Sequence, residues 1–163
     1  MIKKAMLAHK YDEKRIDWSE PVYIQPKLDG VRCLFTKDGA YSRAGNEFMN
    51  VSHLRTTLLP FFDQHPDVVL DGELYNHELK NDFEKIISLV RKQKPTDNDR
   101  IEAKALVQFH VYDYFDGVIY DSYKTRMQQL VNSDIYNNHV KYVATKLVDS
   151  YSYARTLHEE FLE

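Results

Sequence analysis

Short apolar segments recur along the chain, and the spacing of their residues predicts a mixture of strands and helices. β-branched and aromatic residues set among polar ones predict strands at residues 21–28, 67–76, 105–115 and 139–148. Two further strands are predicted within residues 31–45, because Lys-Asp-Gly at 37–39 is a strong hairpin signal.

Apolar residues at helical spacing predict four helices, at residues 53–62, 82–93, 122–131 and 150–163. Pro60 is expected to interrupt the first helix, because proline has no backbone N–H and clashes with the preceding turn. Asp121 or Ser122 is expected to cap the third helix, and Asp149 or Ser150 the last. With the hairpin, these elements predict an α+β fold with largely antiparallel sheets flanked by helices, rather than a regular parallel βαβ repeat.

Composition narrows the class of protein. With 163 residues, 43% of them hydrophobic, the chain suits one globular domain with a core. The single cysteine, Cys33, excludes an internal disulfide and a cysteine-rich zinc site, and it is expected in a buried strand. No apolar run reaches transmembrane length, so we expect no membrane partner and a reducing cytoplasm.

The net charge of −3 gives no bulk electrostatic sign of a nucleic-acid partner, so any basic surface must be local. The densest basic segment is Arg-Lys-Gln-Lys at residues 91–94. It is interpreted either as a solvated helix end before Pro95 or as a phosphate contact.

Lys27 occupies an unusual place in the segment Gln-Pro-Lys-Leu-Asp-Gly-Val-Arg-Cys, residues 25–33. It precedes a tight turn at Asp29 and Gly30, and Arg32 lies just beyond that turn. A lysine becomes a nucleophile when burial or a neighbouring positive charge favours its neutral amine, and Arg32 is such a neighbour. The alternative is an ordinary surface lysine before a reverse turn.

Two further segments place charged residues at strand ends. Arg43, in Tyr-Ser-Arg-Ala-Gly, has the planar fork that holds phosphate, and alone it is equally an ordinary surface arginine. Asp71 and Glu73 end an apolar strand and share one face, because side chains alternate with a period of two. Such carboxylates suit ribose hydroxyls, Mg²⁺ or a glycosidase acid/base pair, and the alternative is a turn that Asp71 caps.

The strand at 105–115 is expected to have two different faces, with Phe109 and Asp113 on one and His110 and Tyr112 on the other. An aromatic side chain at its end can stack on a purine, whereas core packing is the favoured role for Phe109. The histidine spacing predicts no zinc site, and the sequence has neither a P-loop nor a Gly-x-Ser-x-Gly motif.

The order of these motifs decides between the alternatives. Lys-Leu-Asp-Gly-Val-Arg, Ser-Arg-Ala-Gly, Leu-Asp-Gly-Glu and Phe-His-Val-Tyr-Asp follow one another in the chain. This order resembles the covalent nucleotidyltransferases, and most of all the adenylation domain of phage-type ATP-dependent DNA ligases. The resemblance spans nearly the whole chain, from residue 6 to the final helix, and implies the nucleotidyltransferase fold, a role in nick sealing, and host cytoplasm if the source is viral.

The resemblance implies a role for each matching residue toward ATP and Mg²⁺. Lys27 matches the lysine that attacks the α-phosphorus of ATP to form lysyl-AMP. Arg32 matches the arginine that contacts the nucleotide and later the phosphate end of a nicked DNA strand, and Arg43 matches an arginine near the phosphates and DNA. Glu73 matches the glutamate that holds the ribose and helps to organise the metal.

The adenine-facing residues match less closely. Tyr112 best matches the aromatic residue that stacks on adenine, and Phe109 is the competing choice. Gln25 stands two residues before the lysine, where many relatives carry glutamate, and either side chain could meet the adenine edge.

The motifs that end the family's adenylation domain, a Glu-Gly segment and then a Lys-x-Lys segment, do not occur between the Phe-His-Val-Tyr-Asp motif and Glu163. We therefore expect residues 1–163 to be a partial adenylation domain, truncated at its C-terminus and without an OB-fold domain. The expected partners are nicked double-stranded DNA and a missing C-terminal segment or OB-fold domain. The alternatives are an RNA ligase or capping-type enzyme, a non-catalytic nucleotide- or nucleic-acid-binding module, and an α+β domain whose lysines and carboxylates only form turns.

Overall fold

The computed structural model describes residues 5–7, 9 and 12–162. In chain order, the described α-helices and strands are β1 Val22–Ile24, β2 Val31–Thr36, β3 Gly39–Tyr41, α1 Ser52–Gln64, β4 Val69–Tyr75, α2 Phe83–Val90, α3 Asp97–Leu106, β5 Gln108–Phe115, α4 Tyr123–Asn132, β6 Val140–Tyr142, β7 Lys146–Val148 and α5 Tyr151–Leu162. Within that part of the chain, no helix has the length and apolar character needed to cross a bilayer. The first four residues, residues 8, 10 and 11, and residue 163 lie outside the described part, so the start of the family resemblance is only partly covered.

The larger of two compact units consists of residues 28–142 with Ala5. It holds a five-stranded sheet in the order β3-β2-β4-β5-β6, in which every neighbouring pair is antiparallel except β5 and β6. The predicted hairpin is present, with Thr36 opposite Gly39 across the turn. The α+β prediction with largely antiparallel sheet is therefore confirmed.

One face of this sheet forms the core of the larger unit. Cys33, Gly72 and Val111 lie opposite one another on β2, β4 and β5, and Cys33 and Val111 are fully buried. Helices α1, α2 and α3 contribute the other side of the same apolar cluster, through residues such as Leu54, Leu58, Ile86, Leu89 and Ala103. Burial raises the pKa of the Cys33 thiol, which agrees with its predicted place in a buried strand.

The smaller unit consists of the described residues of 6–27 and 143–162. Strands β1 and β7 pair antiparallel, with Val22 opposite Val148. Helix α5 packs against β7, and the ring of Tyr151 at its start meets Trp18 edge-on, with 6.3 Å between the ring centroids.

Helix α1 continues through Pro60, so the predicted interruption is wrong. Pro60 is exposed, and it removes one backbone hydrogen bond without placing its ring in the core. The next two residues, Phe61 and Phe62, are buried in the apolar cluster. Their burial favours the last helical turn enough to offset the cost of the proline.

Two other predictions about the elements need correction. Residues 139–148 form two short strands, β6 and β7, which belong to different sheets, because an apolar pattern does not identify the strand that each segment pairs with. Helix α3 was not predicted, although Thr96 and Asp99 form a capping box at its start. The predicted caps are resolved in favour of serine, since Ser122 accepts a hydrogen bond from the Thr125 backbone and Ser150 from that of Tyr153.

Replacing Gly72 with alanine is expected to destabilise the sheet. The added methyl group would lie against the backbone carbonyl of His110 and 2.6 Å from Cε2 of Phe109, so β4 and β5 would have to separate. We expect the free energy of unfolding to fall by about 2–3 kcal/mol, measured by chemical denaturation.

Gly117→Ala is the matched control. Its methyl group would meet open space, and only the positive φ of +97° would oppose it, which costs about 1 kcal/mol. Equal destabilisation by the two variants would show that close packing at Gly72 is not the cause.

Candidate functional site

The face of the five-stranded sheet opposite the core carries a row of polar and charged side chains. Arg32 on β2 is paired with Glu73 on β4, Glu73 with His110 on β5, and His110 with Lys141 on β6. Paired residues direct their side chains to the same face of a sheet, so these four form one row across it. Two of the predicted site residues, Arg32 and Glu73, are therefore direct neighbours.

Arg32 forms a two-point ion pair with Asp71. Its Nε donates to Oδ1 at 3.1 Å and its Nη2 to Oδ2 at 2.7 Å, and the two side chains are only 25% and 17% exposed. Burial raises the pKa of Asp71, and the Arg32 guanidinium opposes that rise. The hydrogen bonds to Asp71 in turn raise the pKa of Arg32. The carboxylate of Asp71 is thus engaged with Arg32, which disfavours a glycosidase-type pair with Glu73.

Tyr112 sits at a β-bulge on the same face. Asp71 pairs with Asp113 and Gly72 pairs with Val111, so the register places Tyr112 as an extra residue between the two pairs. Its phenol hydroxyl donates a hydrogen bond to the carboxylate of Asp71. Burial, followed by the charge of Asp71, raises the pKa of Tyr112.

The bulge corrects the predicted faces of β5. Beyond it, Tyr114 rather than Asp113 joins Phe109 and Val111 in the core. Phe109 is 0% exposed and packs on Phe35 with 5.0 Å between ring centroids, so it cannot stack on a ligand. Of the two aromatic candidates, only Tyr112 lies on the polar face.

Close packing against β4 explains why position 30, after Lys27, is a glycine. A side chain at Gly30 would collide with the carbonyl oxygen of Leu74 and would lie 2.8 Å from Cγ of Glu73. The turn at Asp29 and Gly30 is therefore pressed onto β4 beside Glu73, and close backbone approach is the reason for glycine there.

The other predicted site residues belong to other segments of the chain. Lys27 and Gln25 belong to the smaller unit, in the irregular stretch after β1. Lys27 is exposed, and Nε2 of Gln25 donates to Oγ1 of Thr145 at 2.9 Å. Arg43 lies in the turn after β3 of the larger unit, where its Nε donates to the carbonyl oxygen of Ala5 at 2.8 Å.

Glu73 is the predicted metal ligand on this face. Among residues 5–7, 9 and 12–162, no group of three or more histidine, cysteine, aspartate or glutamate side chains could hold a metal ion. Mg²⁺ does not need such a group, because it keeps several waters and is held by one or two carboxylates together with substrate phosphates. Glu73 fits that limited role.

Sequence reasoning missed the contacts that support Tyr112 from α4. Nε of Arg126 donates to Oδ1 of Asp113 at 2.8 Å, and the hydroxyl of Tyr123 donates to the backbone carbonyl of Tyr112 at 2.8 Å. It also missed that Asp71 anchors Arg32. The aspartate directly after Tyr112 was the only signal in the sequence, and it does not reveal its partner.

His110 is the other polar residue that the motifs did not mark. Its Nε2 is 2.9 Å from Oε1 of Gln108, and its ring meets Tyr75 edge-on at 5.2 Å. Burial, together with the charges of Lys141 and His77, lowers the pKa of His110 to about 4. The imidazole beside Glu73 is therefore neutral at physiological pH.

Two cavities of about 210 Å³ lie away from this face, next to α1. One is lined by residues that include Phe35, Arg55 and Leu59, and the other by residues that include Pro60, His65 and Asp134. None of the predicted site residues lines either cavity. The candidate site is an open face of the sheet.

DNA ligases are among the known proteins with similar sequences and folds. The family model described as ATP dependent DNA ligase domain matches residues 5–163. DNA ligase of Enterobacteria phage T4 is 38% identical in an alignment that covers 45% of this chain and 18% of the phage protein, and the phage T6 enzyme gives the same values.

Solved ligase structures share the fold. A structure from a study of Lig E DNA ligases has a TM-score of 0.73 at 23% identity and covers 98% of this chain and 57% of that one. The ATP-dependent DNA ligase from bacteriophage T7, in complex with ATP, has a TM-score of 0.64 at 15% identity and covers 86% of this chain and 53% of that one. The chain thus spans little more than half of these solved ligases, and less of the phage T4 enzyme.

The depressed pKa of His110 predicts an acid-sensitive contribution to stability. The pKa of His110 is about 4 in the folded protein, whereas in the unfolded chain the imidazole returns to its usual pKa of about 6.5. The neutral His110 ring therefore contributes fully to stability above pH 6.5, and this contribution is lost as the pH falls toward 4. We expect the loss to be about 2 kcal/mol, since the ring is only partly buried and solvent screens part of the effect. Denaturant unfolding between pH 7 and pH 4 should show a smaller loss of stability for His110→Gln than for the wild type. Identical pH profiles would contradict this assignment.

Proposed function

Because the chain belongs to the ATP-dependent DNA ligase family, we propose that its adenylation-domain residues form lysyl-AMP at Lys27 from ATP, as the first step of sealing 5′-phosphate to 3′-hydroxyl nicks in DNA. The observation that carries the proposal is the common face of Arg32, Glu73 and Tyr112 beside the motif turn at Gly30. Three separate sequence motifs supply these residues, and we would not expect an unrelated α+β domain to place all three on one face.

The proposed chemistry is a displacement at the α-phosphorus of ATP. The Nζ of Lys27 attacks phosphorus as a neutral amine, so it must first lose a proton. A P–N bond forms as the bond to the α–β bridging oxygen breaks, pyrophosphate leaves with the electron pair, and the nitrogen releases its extra proton to solvent. The exposed position of Lys27 leaves its amine accessible to a nucleotide.

Arg32 and Arg43 are proposed to stabilise the charge that develops on the phosphates. Asp71 holds one edge of the Arg32 guanidinium through two hydrogen bonds, so its orientation is fixed before a nucleotide arrives. Preorganised cations of this kind lower the barrier because they need no rearrangement during the reaction. Mg²⁺, when bound at the phosphates with Glu73 as a ligand, would neutralise further charge there.

The remaining contacts are proposed to bind the nucleoside. Glu73 would accept hydrogen bonds from the ribose hydroxyls, and the ring of Tyr112 would stack on adenine. Gln25 would meet the adenine edge through its side-chain amide. Stacking on an aromatic ring suits a purine because both present flat π-surfaces.

The proposed substrate is nicked double-stranded DNA. The named relatives are DNA ligases, which favours DNA over the RNA ligase and capping alternatives. We further propose that a C-terminal segment or an OB-fold domain completes the grip on phosphates and DNA, since the matched ligases are longer than this chain. We propose that the protein acts in the cytoplasm, and in the host cytoplasm if the protein is viral.

The covalent step can be tested by intact mass after incubation with ATP and Mg²⁺. The wild type is expected to gain the mass of one adenylyl group, and Lys27→Ala is expected to gain none, because the attacking amine is gone. Lys37→Ala, which removes an exposed lysine in the β2–β3 turn, is the matched control and should form the adduct as the wild type does.

Each result separates the alternatives. An adduct in the Lys27 variant would refute the assignment of the nucleophile. A folded wild type that binds ATP but forms no adduct, even with the C-terminal part of a related ligase added in trans, would indicate a non-catalytic binding module.

A further inference from the structure

We propose that Tyr123 and Arg126 of α4 are positioning residues that hold the Tyr112 bulge in place for adenine, an inference that rests on the proposed function of Tyr112. Neither residue is part of the motifs that indicated the site. Both contact the bulge from outside the sheet, through hydrogen bonds to its backbone and to the next side chain.

The bulge needs support because it disturbs the pairing of β4 and β5. An extra residue in one strand locally breaks the ladder and leaves backbone groups to be satisfied elsewhere. The hydroxyl of Tyr123 meets this need by donating to the carbonyl oxygen of Tyr112 at 2.8 Å. The position of the Tyr112 backbone is thus tied to α4.

Arg126 ties down the residue that follows. Its Nε and Nη2 donate to the two carboxylate oxygens of Asp113 at 2.8 and 3.1 Å, and its Nη1 donates to the carbonyl oxygen of Asp121 at 2.8 Å. The guanidinium also lies 5.4 Å from the ring centroid of Tyr123. The two side chains of the ion pair are mostly buried, so the contact is stronger than an exposed salt bridge.

Tyr112 is therefore held at two points. Asp71 holds its hydroxyl on the sheet face, and Tyr123 holds its carbonyl from α4. A stacking ring contributes to affinity only while its plane is set in advance, because ordering it on binding would cost conformational entropy. Loss of the α4 contacts should weaken nucleotide binding and leave the reacting groups in place.

The test measures the rate of adduct formation at increasing ATP concentration. Tyr123→Phe removes the hydrogen bond and keeps the ring, so KM for ATP should rise about three- to tenfold, with the maximal rate within about twofold of the wild type. Arg126→Lys keeps the charge but loses the two-point geometry, and KM should rise in the same direction. Tyr120→Phe is the control, since that side chain is 91% exposed, and its kinetics should match the wild type.

A second arm separates positioning from general destabilisation. In a Tyr112→Ala background there is no ring to place, so adding Tyr123→Phe should change KM no further. Thermal unfolding of each variant confirms that it is folded. An unchanged KM in Tyr123→Phe, or an equal rise in both backgrounds, would overturn the proposal.

Calorimetric titration of ATP into the same proteins measures ATP affinity and so tests the positioning role whether or not the lysyl-AMP adduct forms. If no adduct forms but Tyr123→Phe weakens ATP binding only when Tyr112 is present, the covalent step fails and the positioning role stands. If the adduct forms and the affinities are equal, the positioning role fails alone. If no ATP binds to any of the proteins, both fail.

Discussion

The ion pair between Arg32 and Asp71 is the interaction on which the polar face of the sheet depends. It joins β2 to β4 through two hydrogen bonds, and Asp71 also accepts from the hydroxyl of Tyr112. Burial raises the pKa of Asp71, and the guanidinium beside it opposes that rise by favouring the ionised carboxylate. One charge pair thereby orients both a cation suited to phosphate and a ring suited to a base. Removing either partner would leave the other charge poorly solvated, which costs more than the pair itself contributes.

Local pattern predicted those parts of the fold that local physics decides. The hairpin at Thr36 and Gly39 follows from its turn residues, and the serine caps of α4 and α5 follow from the chemistry of helix starts. The continuation of α1 through Pro60 does not, since it depends on burying Phe61 and Phe62 against distant strands. The prediction of strand partners fails for the same reason, because pairing depends on tertiary contacts that the apolar pattern of one segment does not specify.

For the candidate site, too, the sequence predicted what is local and missed what depends on distant contacts. Motif order in the sequence predicted Arg32, Glu73 and Tyr112 as site residues, and alternation placed Asp71 and Glu73 on a common face. Alternation failed at the bulge, where one extra residue reverses the faces of everything that follows on β5. The roles of Asp71 and Arg126 were out of reach, because each depends on a partner more than ten residues away in the chain. Spacing within one segment carries no record of such pairs.

The burial of Cys33 has a practical consequence for labelling the protein. The chain has no other cysteine, and this thiol is fully enclosed in the core, where burial keeps it in its unreactive protonated form. Thiol-directed reagents should therefore pass over the folded wild type. A cysteine introduced at an exposed position such as Tyr120 would carry a fluorophore or spin label at a single defined point, without first removing a native residue from the core. The fold thus offers a ready background for spectroscopic reporters of ligand binding.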